Sequence, residues 1–473
     1  MDFRISNIGI IGDSTIKLDG LTVITGSNNS GKTTVGKTLY ALSEAISNYQ
    51  NKINLEKDLE IQRRLREIFS NLGFLRFAED ELRLDDKGKY NNSPLIRGFV
   101  KTGEINRLPV GEVAGFSKKL LAEVINLEEC LKEKYKETND NFERKKQIIE
   151  FVLLRLNAIK VDLQTIDIMM TSKLDLKSAL RRRITESLGV EFKNQVQPAK
   201  LPECKSEIIL SEDNVVFCNI QIENNVVKTH ENEMYYEMPY DMVFLIDDAF
   251  VVDRIDSGKN KPFKQRDFDI ANCKISNHNE RLINYLEFPV QGGFVDNDFE
   301  KQYASILQLI NEVVPGRVEQ RSNGKYYVNN GASLRLANLA TGSKMVLVLK
   351  QLVEKHFVTE KSLLILDEPE AHLHPEWQNI FAKMVCLLVK NVGTKVLLTT
   401  HSPNFMLAID GCMREEVITD KCNFYVTENT NEYQVHYKQV NDDLNIVYDK
   451  FLKPFEYSNN MREKHFGRDK YDK

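Results

Sequence analysis

The stretch Gly26-Ser27-Asn28-Asn29-Ser30-Gly31-Lys32-Thr33-Thr34 fits G-x-x-x-x-G-K-[ST], the P-loop pattern. Its chemistry is the binding of nucleotide phosphates. Gly26 and Gly31 let the backbone turn tightly and bring its N–H groups up to phosphate oxygens. Lys32 supplies a cation for the β- and γ-phosphates, and the Thr33 hydroxyl a ligand for Mg²⁺. Far downstream, Leu363-Leu364-Ile365-Leu366 runs into Asp367-Glu368. Asp367 suits the orientation of Mg²⁺ through water, and Glu368, one residue further, suits polarising an attacking water. His401 follows Val396-Leu397-Leu398-Thr399-Thr400 and is placed to hydrogen-bond a γ-phosphate. The expected site therefore has ATP and Mg²⁺ as its ligands, Lys32, Glu368 and His401 as its catalytic groups, and Thr33 and Asp367 at the metal.

These residues need rigid elements beneath them. Leu21-Thr22-Val23-Ile24-Thr25 reads as a buried strand, and Val35, Leu39, Leu42 and Ile46 recur at helical spacing, so the P-loop lies between a strand and a helix ending near Asn48. That arrangement aims a helix N-terminus at an anion. Phe3–Ile11 and Ser14–Leu18 read as further strands, with turns at Gly12-Asp13 and Asp19-Gly20. Leu363–Leu366 is a parallel-type strand, a helix spans 376–389, and Lys395–Thr399 is another strand. Alternating apolar strands and helices make an α/β sheet whose ligand sits at the carboxyl ends of its strands. Glu207–Leu210, Val215–Ile222, Val226–Lys228, Val243–Ile246, Asn423–Thr427 and Tyr433–Gln439 read as strands, as does the region 317–340 around Ser322-Asn323-Gly324. Helices are expected around Glu280–Leu286, Lys301–Val313, Met345–Val353 and Leu444–Leu452.

The segment from 50 to about 200 differs. Residues 50–72 and 112–190 are rich in Lys, Glu, Leu and Ile at helical spacing, with a loop over 84–110 and no sustained heptad. The expected division is an ATPase head from 1–48 and 206–440, a mainly helical insertion over 49–205 for assembly or partner binding, and a C-terminal helix with a polar tail over 441–473. Arg144-Lys145-Lys146 and Arg181-Arg182-Arg183 read as solvated helix faces, with nucleic-acid contact as the other reading. Asp267-x-Asp269 reads as part of a charged loop and His278 as part of a surface loop.

At 473 residues with 42% hydrophobic and 28% charged residues, the chain suits a globular protein of about three units. A net charge of −5 provides no global basic field, so any nucleic-acid site must be a local patch. The seven cysteines are scattered without C-x-x-C spacing, which fits reduced thiols. With no signal peptide and no apolar run near the ~20 residues of a membrane span, the expected location is cytoplasmic.

The order of these motifs resembles the ATP-binding-cassette heads of the RecF and structural-maintenance-of-chromosomes (SMC) group over residues 1–48 and 330–440. In finer detail it is similar to the ATPases of bacterial phage-defence systems: PtuA of Septu, AriA of PARIS and the ATPase half of the overcoming-lysogenization-defect nucleases. The phrase Leu366-Asp367-Glu368-Pro369-Glu370-Ala371-His372-Leu373-His374-Pro375 carries that likeness. The resemblance implies an ABC-type P-loop head, a mixed β-lobe plus a parallel sheet flanked by helices, with a large helical insertion. It implies that Thr341-Gly342-Ser343, before the apolar helix, fills the signature loop and touches nucleotide on another subunit, the hydroxyl coming from Thr341 or Ser343. The family's glutamine loop has a candidate place at Val243–Ile246 leading into Asp247-Asp248. His372-x-His374 belongs with the dimer-facing segment rather than with a metal. The implied function is an ATPase that forms at least a homodimer and controls a separate nuclease or toxin. Too little chain follows Gln439 for a fused nuclease. The other readings are a RecF-like DNA-repair head and an ATP-gated scaffold with little turnover.

Overall fold

The structure, a computed structural model, describes residues 1–82, 110–138, 143–173, 175–201, 203–228, 238–255, 265–288, 297–322, 324–430 and 433–466. The chain divides into two compact units, one of Met1–Tyr49 with Lys177–Lys473, the other of Gln50–Leu176.

The first unit is built on an eleven-stranded sheet of mixed direction. Strands β1 (Asp2–Ile8) and β2 (Ile11–Lys17) form a hairpin whose turn lies at Gly9-Ile10, not at the expected Gly12-Asp13. Gly9 has φ 56°, a conformation that suits the tight turn. Gly12 and Asp13 stay within β2, where Asp13 pairs with Ser6 of β1. Strand β3 (Leu21–Thr25) is buried along its whole length, as a central parallel strand should be. It leads through the P-loop into α1 (Lys32–Ile46).

The parallel part of the sheet runs β7 (Met242–Ile246), β11 (Ser362–Asp367), β12 (Lys395–Thr400), β3 and β13 (Cys422–Asn429). The β-lobe continues through β14 (Val435–Gln439), β2, β1, β4 (Ser206–Glu212), β5 (Val215–Glu223) and β6 (Val226–Lys228). Because β12 lies between β3 and β11, the P-loop and Asp367 emerge on either side of it, and His401 follows directly from its end.

Each face of the sheet has its own core. Leu364, Leu366, Val396 and Leu398 face one cluster, shared with the buried residues of helices Thr341–Glu354, Pro375–Leu387 and Pro403–Glu415. Leu363, Ile365 and Leu397 face the other, shared with Val35, Leu39 and Leu42 of α1. This alternation is the period of two that a strand imposes. A separate three-stranded sheet joins Arg317–Arg321, Gly324–Asn329 and Ala332–Arg335. Asn323, in the turn expected there, lies outside the described residues. The final helix runs Asn445–Phe466, well past the expected Leu452.

Among the described residues, the second unit has three long helices, α2 (Tyr49–Leu82), α3 (Val110–Glu137) and α4 (Glu143–Thr171), around a core that includes Ile61, Ile68, Leu120, Val124, Leu156 and Leu163. The loop expected over 84–110 lies outside the described residues up to Val110, which opens α3. Residues 177–205 group with the first unit, although the sequence placed them with the insertion. The reason is visible in α5 (Leu176–Phe192), whose Leu180, Ile184 and Leu188 are buried in the same core as the β-lobe.

The expectation of a solvated Arg181–Arg183 face fails at one residue. Arg182 is exposed, but Arg183 is 1% exposed and donates to the Cys273 carbonyl at 3.0 Å. Arg144 and Lys145 are exposed, as expected. Asp267 and Asp269 lie on the helix Gln265–Cys273 rather than in a loop. Among the described residues, no helix is long and apolar enough to cross a membrane, and all seven cysteines are free.

Candidate nucleotide site

A cavity of about 850 Å³ opens at the carboxyl ends of β3, β11 and β7. Asn28, Asn29, Ser30, Gly31, Lys32, Thr33 and Thr34 line one side of it, Asp367 and Glu368 another, and Asp247 and Asp248 a third. The P-loop takes its form from local backbone geometry. Asn29 (φ 59°) and Gly31 (φ 78°) are both left-handed, and Gly31 stands immediately before α1, so the first helical N–H groups face the cavity mouth. A Cβ on Gly26 would meet the side chains of Thr427 and Ser30, so the loop fits there only without one.

The charged groups converge. Lys32 is 5% exposed, and its Nζ donates to the carbonyls of Gly26 (3.0 Å) and Ser27 (2.9 Å). The same Nζ lies 3.4 Å from Glu368 Oε1, which lies 3.1 Å from His401 Nδ1. Thr33 Oγ1 donates to Asp367 Oδ2 at 2.6 Å, and Thr399 Oγ1 donates to the other oxygen, Oδ1. Burial pushes the Asp367 carboxyl above its usual range, an effect these two hydroxyls oppose. Thr399 also serves Glu368, whose N–H donates to the Thr399 carbonyl at 3.2 Å and to its hydroxyl at 3.1 Å. Glu368 has φ 50°, a left-handed conformation that costs free energy for a residue with a side chain and is held here by those bonds.

The residues fit a hard divalent cation beside a phosphate. Thr33 and Asp367 offer only oxygen donors, already within hydrogen-bond distance of each other. An ion that keeps several waters and takes phosphate oxygens needs few protein ligands. Among the described residues, no cluster of three or more His, Cys, Asp or Glu residues suited to a metal occurs.

Not every expected residue reaches the cavity. Gly26 and Ser27 contribute carbonyls to Lys32 rather than lining it, and His401 joins through Glu368. Thr341, Gly342 and Ser343 do not line it, although Met345, one turn on, does. The helix they open, α10 (Thr341–Glu354), begins at Thr341, so these residues form its first turn. A Cβ on Gly342 would stand 2.7 Å from the His372 carbonyl, so this glycine lets α10 approach the segment after Glu368.

Sequence reasoning missed two contributors, Thr399 and Glu370, and assigned a third, His372, to the dimer-facing segment. Thr399 carries the bonds just described. Glu370, 3% exposed, accepts from Thr400 Oγ1 at 2.5 Å and from the His401 N–H at 3.3 Å, which sets the backbone from which His401 projects. His372 lines the cavity. A threonine pair ending an apolar strand, and a second glutamate two residues after the first, are the signals that point to Thr399 and Glu370.

The sheet order, the P-loop and the paired carboxylates define a mixed α/β P-loop ATPase head. The family profile described as AAA ATPase domain matches residues 1–406, and the chain belongs to that family. No curated protein matches it by sequence. Among solved structures, the SMC head domain from Thermotoga maritima is similar at 10% identity and a TM-score of 0.36, over 93% of this chain and 98% of that one. An SmcHead bound to the C-winged helix domain of ScpA is similar at 10% identity and a TM-score of 0.36, over 93% and 96%. The Smc head domain with a coiled coil and joint derived from Pyrococcus yayanosii is similar at 10% identity and a TM-score of 0.32, over 96% and 99%.

Proposed function

We propose that the chain hydrolyses ATP with Mg²⁺ and that two copies close over the bound nucleotide. The observation that carries the reading is Glu368 Oε1 lying between Lys32 Nζ and His401 Nδ1, at 3.4 and 3.1 Å, beside the Thr33–Asp367 pair. Lys32 and the N–H groups opening α1 bind the phosphate oxygens. Thr33 and Asp367 would hold Mg²⁺, which neutralises phosphate charge when bound. Glu368 accepts a proton from the attacking water as its oxygen adds to the terminal phosphorus, and the bond from that phosphorus to the bridging oxygen breaks. His401 orients Glu368 and the terminal phosphate. The roles of Gly26–Thr34 as phosphate cradle belong to the same reading.

Self-association is supported by the first turn of α10. Thr341, Gly342 and Ser343 present a helix N-terminus and two hydroxyls but lie off this chain's own cavity, which leaves them for nucleotide held by a second copy. The test is the mass in solution of Glu368→Gln, with and without Mg-ATP. Doubling on ATP addition supports closure, and a monomer in both states ends that part of the proposal.

The head reading requires only the AAA ATPase family and the site, and it leaves a RecF-like role on DNA open to a binding assay. Control of a separate nuclease or toxin in phage defence is supported by the Leu366–Pro375 phrase.

A further inference from the structure

We propose that His278 is a positioning residue of the ATP site, one that holds the Asp247 carboxylate at the cavity by anchoring it to Glu191. The inference rests on the ATPase reading above. It concerns residues outside the P-loop and outside Asp367-Glu368.

Strand β7 ends at Ile246, so Asp247 leaves the sheet beside β11 and lines the cavity. Its Oδ1 lies 2.9 Å from Nε2 of His278, the first residue of the helix His278–Glu287. The sequence places His278 in a surface loop, but it is 6% exposed. Its other ring nitrogen, Nδ1, lies 2.7 Å from Glu191 Oε2, and its backbone N–H donates to Glu191 Oε1 at 2.8 Å. Glu191, itself 6% exposed and on α5, thus grips both the ring and the backbone of His278. The ring cannot turn without breaking one of these bonds.

The protonation state follows from the partners. Ionised carboxylates only accept hydrogen bonds, so hydrogen bonds from the ring to both Glu191 and Asp247 are made by the imidazolium form; Asn279 Nδ2 also lies 3.0 Å from Nε2. Burial pulls the His278 pKa down, and the bonds to Asp247 and Glu191 more than reverse this, to about 9. The cation lies between buried Glu191 and partly exposed Asp247, and it offsets the cost of burying the Glu191 charge. Around it, Tyr40 of α1 packs edge-on to the ring at 5.9 Å between centroids, and Arg281 pairs with Glu44 of α1. The same helical turn is therefore fastened to the helix that carries the P-loop.

Asp247 spends Oδ1 on His278, with Asn279 Nδ2 3.5 Å away, and Oδ2 makes no hydrogen bond among the described residues. Asp247 and Asp367 line the same cavity, so the negative charge of Asp247 adds to that of Asp367 there. A fixed carboxylate here strengthens the pull of the site on a divalent cation. A carboxylate released from His278 can swing away, and the pull weakens.

The experiment compares wild type, His278→Gln, Asp247→Asn and the double variant, all as full chains. Binding of a fluorescent ATP analogue is titrated with Mg²⁺, and kcat and KM for ATP are measured beside it. The proposal expects His278→Gln to raise the half-saturating Mg²⁺ by about 10-fold, the scale on which partners behind a metal site act. The double variant should then be no worse than Asp247→Asn alone. Unchanged Mg²⁺ dependence in a folded His278→Gln, or effects that multiply in the double variant, overturns it. Glu191→Gln keeps one acceptor and serves as the milder variant if His278→Gln does not fold. It should shift the Mg²⁺ requirement in the same direction, and a wild-type response from it also overturns the proposal. A wild type that binds no nucleotide overturns the ATPase reading itself, which a difference among variants cannot do.

Discussion

Glu368 Oε1 and His401 Nδ1 lie 3.1 Å apart, at the ends of the adjacent parallel strands β11 and β12. Neither side chain is buried, with 32% and 46% exposure, so the pair is held from beneath rather than by packing. Thr399 holds the Glu368 backbone, and Glu370 holds that of His401. His401→Ala should leave nucleotide affinity near wild type and lower kcat by ~10²-fold, the scale of a group that orients an acid or base. Steady-state kinetics with a parallel binding titration separate the two effects, and an equal loss in both would place His401 in binding instead.

Thr399 makes a sharper prediction, because it touches both carboxylate residues. Thr399→Val keeps the shape of the side chain and removes the hydroxyl from Asp367 Oδ1 and the Glu368 N–H. Burial then acts on Asp367 with one hydroxyl fewer, so its pKa rises further. The lower limb of the pH–rate profile should move to higher pH, and the lost bonds should lower stability by ~1–3 kcal/mol. A pH–rate profile like that of the wild type would show that the hydroxyl matters only to folding.

The His278 bridge predicts a pH dependence of stability. Its folded pKa of about 9 lies above the ordinary value of 6.5. The stabilisation is therefore complete below about pH 6.5 and is lost as pH rises through about 9. The groups facing the ring are Glu191 from α5, Asp247 after β7, Tyr40 from α1 and the neighbouring Asn279, whose Nδ2 lies 3.0 Å from Nε2. The difference in Tm between wild type and His278→Gln should be largest near pH 6, with a contribution of up to ~3 kcal/mol, and should shrink toward pH 9.5. A difference that stays constant across that range would contradict the charged bridge.

The arginine run separates into unlike parts. Arg183→Glu puts a carboxylate where a buried guanidinium bonds to a backbone carbonyl, and should cost ~3–5 kcal/mol. Arg182→Glu changes an exposed residue that pairs with Glu186 at 3.7 Å, and should cost less than ~1 kcal/mol. Chemical denaturation of the two single variants checks this. Reversing all three arginines together would confuse unfolding with loss of a contact surface.

The parts of the head legible in the sequence were those in which chemistry and periodicity coincide. Lys32 and Thr33 follow from residue type and spacing, and β3 and β11 from apolar runs that end in functional groups. The rest depends on contacts between distant segments. Nothing local to His278 shows that Glu191 and Asp247 will enclose it, and its polar neighbours Asn277 and Asn279 read as loop although Asn277 caps a helix. Arg183 looked exposed because three arginines in a row suggest solvent, yet a helix turns 100° per residue and carries only one of them into the core. Gly12-Asp13 is the stronger turn signal in isolation, but the pairing of β1 with β2 sets the turn at Gly9-Ile10.

The most direct measurement is phosphate release and nucleotide binding by wild type and Glu368→Gln at millimolar Mg-ATP, with Lys32→Ala as the control for binding. The account predicts that wild type and Glu368→Gln bind ATP alike, that Glu368→Gln turns over at least ~10²-fold more slowly, and that Lys32→Ala does neither. Wild-type protein that binds no ATP, or Glu368→Gln that hydrolyses it at the wild-type rate, would contradict it.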